Sequence, residues 1–174
     1  MRLGLDGIRG ACSCFWCVIT LPVGIYLRDS SNMSVLSDLY VSAPDLAIDY
    51  DDLEAQQTFP DSDREQFKGL TVLELSTLWA IIRKKSWDVS QMRGFEKILM
   101  RDGGERLIYR LPDAFLSVVS DLDDPAAGAA AEKWAQTDEL RCAAADVRPV
   151  IDALGRLAGV ARQSGRGVYI WNCL

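Results

Sequence analysis

Leu70–Lys85, LTVLELSTLWAIIRKK, is the best-specified element of the chain, and the fold is read outward from it. Thr71 can cap the first turn while Glu74 reaches back to the Thr71 amide, so Thr-Val-Leu-Glu is a capping box with Leu70 and Leu75 at the flanking staple positions. Leu75, Leu78, Trp79 and Ile82 then recur at helical spacing, and Arg83, Lys84 and Lys85 complement the negative end of the helix dipole. Such periodicity reports burial more often than a binding stripe. The sequence therefore predicts a core helix over 71–84 with Trp79 inward, and removing that side chain is expected to cost about 3–5 kcal/mol.

The elements downstream supply a sheet. Lys97–Arg101 and Glu105–Leu111 are short β-prone runs separated by Asp102-Gly103-Gly104, a hairpin signal because those glycines tolerate positive φ. Leu111-Pro112-Asp113 starts a helix running to about Leu122, and Asp124-Pro125 caps another that ends near Thr137. Asp121, Asp123 and Asp124 at the junction are read as caps and turn residues rather than as metal ligands. From about Asp146, the residues Val147, Val150, Ile151, Leu154, Leu157, Ala158 and Ala161 make one helical stripe, with Pro149 assigned to the first turn. Gly165 ends that helix, and VYIWNC at 168–173 reads as a buried final strand. The expected fold is α+β: a mostly helical single domain over 33–174 whose small antiparallel sheet joins the hairpin 97–111 to the strand 167–173.

Upstream, the chain changes character twice. Ala11–Leu27 is an uncharged apolar run of 17 residues, at the short limit of a bilayer span. It competes as a signal peptide, a signal anchor, or a leader outside the working protein, and the abrupt change at Met33 favours the third. Residues 1–32 are accordingly set apart from the domain. Cys12, Cys14 and Cys17 lie in this leader without a second cluster or histidine to complete a metal site, and Cys142 and Cys173 alone make no disulfide framework. This fits a reducing compartment; the expected location is cytoplasmic, with inner-membrane anchoring through 11–27 as the alternative.

Between Met33 and Phe67 nine acidic residues face the single Arg64, whereas residues 68 to 110 hold nine basic and five acidic residues. Pro44 is expected to open a short helix from Asp45 to Gln57, with Leu46, Ile48, Tyr50 and Leu53 giving it a partial apolar face, ended by Phe59-Pro60, with Asp61–Arg64 as loop. On that helix Asp49, Asp51, Asp52 and Glu54 are the candidate docking residues for a basic partner. The competing reading is a solvated face, or a face neutralised internally by the basic middle of the chain.

With 19 basic and 25 acidic residues the 174-residue chain carries a net charge of −6, which disfavours broad contact with a phosphate backbone. It has no histidine, which removes the usual general base near neutral pH and every His-based triad or metal site. No catalytic, cofactor or metal residue is assigned. The expected function is a non-enzymatic interaction module, immunity-like or antitoxin-like, that offers carboxylates to a basic protein. The alternatives are a carboxylate-dependent enzyme, which would need two acids converging in a pocket, and a membrane-anchored protein.

The order of elements, a tryptophan-bearing early helix, then RLIYRLPDAFLSVVSDLDD at 106–124, then a long helix running into GVYIWNCL at 167–174, resembles that of the small bacterial YfbM-like proteins. The resemblance covers roughly 33 to 174. It implies a cytoplasmic bacterial α+β protein and supplies no catalytic residue.

Overall fold

The computed structural model describes residues 35 to 174; the apolar run, its three cysteines and the Met33 boundary lie outside them. The capping box of the best-specified helix is present. Glu74 accepts from the Thr71 amide at 2.8 Å and Thr71 Oγ1 accepts from the Leu73 amide at 3.2 Å, opening α2 (Val72–Ile82). The helix is buried on more than one stripe: besides Leu75 and Leu78 it encloses Ser76 and Thr77. Both hydroxyls donate to the Leu73 carbonyl, at 2.8 and 3.1 Å, so these polar groups enter the interior already satisfied.

The fold is α+β and mostly helical, and its sheet has five strands: β1 (Leu36–Ser42), β2 (Arg64–Lys68), β3 (Glu96–Arg101), β4 (Arg106–Arg110) and β5 (Gly167–Cys173). They lie in the order β2-β1-β5-β4-β3, all neighbours antiparallel. The expected hairpin and final strand are β3, β4 and β5. Two strands extend that expectation, and β1, expected only as part of an acidic arm, lies inside the sheet between β2 and β5. Tyr40 pairs Tyr169 and Ser42 pairs Gly167 across its whole length. Residues 61–64, expected as loop, form a 3-10 turn at Asp61–Asp63 that feeds β2.

Four helices cover one face of the sheet. α2 is joined by α3 (Asp113–Ser120), α4 (Asp124–Ala135) and α5 (Ala144–Ser164), and their apolar stripes meet Leu39, Val41, Phe67, Val168 and Ile170 in the larger core. Every member of the predicted α5 stripe is buried. Two helix starts differ by a step from the sequence reading. Asp123, not Asp124, caps α4 by accepting from the Ala126 amide at 2.8 Å. α5 begins at Ala144, where Asp146 accepts from the Ala143 amide at 3.0 Å, so Pro149 stands in the second turn rather than the first. The carbonyl it leaves without a helical donor is that of Ala145, an exposed residue, which water can serve.

Candidate functional site

The opposite face of the sheet is covered by the acidic segment. Along β1 and β5 alternation sends Asp38, Tyr40, Tyr169, Trp171 and Cys173 to this side, and residues 43–63 cross over them. The expected helix from Asp45 to Gln57 is replaced by a 3-10 turn at Ala47–Asp51 and a single α-turn, α1 (Leu53–Gln56), separated by an extended Asp52. The break follows from what Tyr50 and Asp51 reach. The Tyr50 ring stacks on Tyr40 with centroids 3.9 Å apart, and Phe59 meets both rings edge-on. The Tyr50 hydroxyl donates to Asp38 at 2.9 Å, and the Tyr40 hydroxyl donates to the Ala47 carbonyl at 2.7 Å. These contacts draw Tyr50 and Asp51 onto the sheet, and the chain turns out at the extended Asp52 before α1.

The four candidate carboxylates do not share a face. Asp49 and Glu54 are exposed. Asp52 is exposed but engaged as the cap of α1, accepting from the Glu54 and Ala55 amides at 2.9 and 3.0 Å. Asp51 is turned inward, its side chain 1% exposed, with Arg106 at 3.0 Å and Arg101 at 3.4 Å. Its second oxygen accepts from the Trp171 indole at 3.0 Å. Asp51 is therefore an internal tie between the acidic segment and the basic hairpin, the internal neutralisation that the opposed segment charges anticipate.

Asp38 is buried on this face as well. Burial pushes its pKa above the ordinary value of 3.8, against the lowering effect of hydrogen bonds from Gln66 and Tyr50 and of the charge on Arg64. Burial also raises the Tyr40 and Tyr50 phenols, so both rings stay protonated donors. The folded state therefore holds the Asp38 proton more tightly than the unfolded chain. This contribution to stability is full below pH 3.8 and is lost as pH rises through the higher folded-state value. An Asp38→Asn variant, which keeps an acceptor but never ionises, is expected to unfold at higher denaturant than wild type at pH 7, with the difference closing as pH falls below 4. A difference independent of pH in paired urea titrations would contradict the assignment.

What this segment leaves outside is a mixed surface. Leu46, Ile48 and Leu53 are 52%, 43% and 70% exposed, interleaved with exposed Asp45, Asp49, Asp52 and Glu54. Beside them lies a cleft of about 330 Å³ walled by Val41, Ala43, Leu46 and Phe59, with Asp49 and Arg166 also lining it. Arg166 is committed to Asp63 at 2.8 Å, so Asp49 is the acidic group the cleft offers to an incoming cation. The sequence pointed to the acidic residues but not to the apolar ones, because Leu46, Ile48 and Leu53 read as the inner stripe of a helix that does not form.

Among the described residues no group of three or more Cys, Asp or Glu could hold a metal ion, and no helix is long and apolar enough to cross a membrane. No family model, no curated protein and no solved structure matches the chain.

Proposed function

We propose that the protein is a protein-interaction module that receives a basic partner on the surface formed by residues 43–59, as an immunity-like or antitoxin-like inhibitor would. The observation that carries the reading is the apolar cleft with Asp49 in its lining. It suits an Arg or Lys whose methylene stem lies along Leu46 and Phe59 while its charge meets the carboxylate. Exposed Leu53 and Ile48 supply apolar contact beside it, and the surrounding acids supply long-range attraction, which raises association rate more than it deepens binding. Asp51 is excluded from this surface by its burial.

The test is kinetic. A partner purified after cross-linked capture from the native host should associate with the wild-type protein at a rate that falls as salt rises, since screening acts over about 8 Å at physiological ionic strength. Asp49→Asn combined with Glu54→Gln should slow association several-fold at unchanged melting temperature, and Leu46→Ser should speed dissociation. Wild-type kinetics in both variants would remove this surface from the interface and the reading with it.

A further inference from the structure

A second cleft lies elsewhere, where α3 and α5 meet at the start of β5. It measures about 350 Å³, and its lining includes buried Leu116, Ala158 and Ala161 together with Arg110, Arg162 and Arg166. The three arginines are not equivalent. Arg166 is held by the nearly buried Asp63 at 2.8 Å. Arg110 approaches Asp113 at 3.3 Å with both side chains substantially exposed, an arrangement that contributes little to stability and yields readily to a stronger acceptor. Arg162 has no carboxylate or hydrogen-bond partner among the described residues, in a chain where acidic residues outnumber basic ones by 25 to 19. The Ser117 hydroxyl, also in the lining, is likewise without a partner there.

We infer that this cleft binds a small organic phosphate, its apolar body against Leu116, Ala158 and Ala161 and its phosphate oxygens taken by Arg162, Arg110 and the Ser117 hydroxyl. Guanidinium groups present planar forks of donors that match phosphate oxygens bidentately. Asp113 also lines the cleft and stands as the competing acceptor, but it is 80% exposed and carries a single charge, so a dianion offers Arg110 the stronger partner. The cleft volume is that of a small-molecule site with an apolar wall and a few polar groups. General attraction does not account for such binding, because the molecule as a whole is an anion of net charge −6 and would repel the ligand. The site shares with the cleft beside Asp49 only Arg166, which Asp63 holds, and the residues proposed to bind in each are different, so either can fail without the other.

Titration of the full chain with phenyl phosphate, followed by calorimetry and by amide chemical shifts, tests the inference. Saturable binding is expected, with shifts confined to the neighbourhood of Ser117, Ser120 and Gly165. Benzyl alcohol, which has the apolar body without the charge, and benzoate, which has one charge, should both bind more weakly. Arg162→Gln should weaken phenyl phosphate about tenfold, as loss of one charge-assisted pair does, with the melting temperature unchanged because Arg162 is exposed. Arg141→Gln, a surface arginine paired with Asp138 outside the cleft, should leave affinity as it was. Absence of saturation at millimolar ligand, equal losses in the two arginine variants, or tighter binding of benzoate would overturn the proposal.

Discussion

Asp51→Ala is expected to destabilise the protein by about 3 kcal/mol, the lower end of the range for breaking a buried ion pair. Truncation strands the Trp171 indole N–H in the interior and takes the anion away from Arg101 and Arg106. The lower end applies because the arginine side chains are 52% and 28% exposed and can turn back toward water. Asp51→Asn retains an acceptor for the indole and should lose roughly 2 kcal/mol. Asp49→Asn and Glu54→Gln, two and three residues away in the same segment, should stay within about 0.5 kcal/mol, as exposed charges do. Urea unfolding at pH 7 measures all four. Converting Asp49, Asp51, Asp52 and Glu54 together to their amides would therefore unfold the protein more easily, almost entirely through Asp51, because Asn caps a helix about as well as Asp does at position 52. A uniform small effect across these four variants would mean that Asp51 is not an internal tie.

The contrast between Asp51 and its neighbours shows where sequence was legible. Segment charge was informative: an acidic stretch and a basic stretch in one domain anticipated contact between them, and Asp51 with Arg101 and Arg106 realises it. Residue-level placement was not, because the spacing of Leu46, Tyr50 and Leu53 imitates a helical stripe, while the actual choice is made by partners distant in the chain, Tyr40 and Trp171. The same reason hid β1. Its Ser37, Asp38 and Ser42 occupy buried positions and dilute the alternation that marks a strand. Ser37 is accommodated only through contacts far along the chain: its hydroxyl donates to the Leu70 carbonyl at 2.7 Å and accepts from Asn172 at 3.1 Å. β2, with Phe67 as its one apolar residue, has still less local signal and takes its place by pairing with β1. Elements whose stability is local, such as capped α2, the Asp102-Gly103-Gly104 hairpin and the continuous stripe of α5, were read at nearly their true bounds.

Trp134→Ala should be costlier than any change on the acidic face, about 4–5 kcal/mol at the upper end of the range for deleting a buried aromatic. Its side chain is fully enclosed, and its indole N–H donates to the Glu74 carbonyl at 3.0 Å, tying α4 to the first turn of α2. The neighbours it would leave on its own helix are Ala127, Ala130, Ala131 and Ala135, side chains too short to move into the space, so the cavity persists and its cost is added to the lost transfer energy. Trp79, the tryptophan that sequence periodicity directs into the core, is only partly buried. It packs against Phe95 and Phe115 with Arg83 stacked 5.5 Å above the ring, and its indole N–H is enclosed without an acceptor among the described residues. Trp79→Ala thus removes an unsatisfied donor along with the apolar contacts, which offsets part of the loss, and about 2 kcal/mol is expected instead of the 3–5 inferred from the helix stripe. Chemical denaturation of the two single variants decides the ranking. Equal losses would place Trp79 as deeply as Trp134, and a loss below about 1 kcal/mol for Trp134 would require the alanine-lined face of α4 to close over the gap, against the rigidity expected of packed helices.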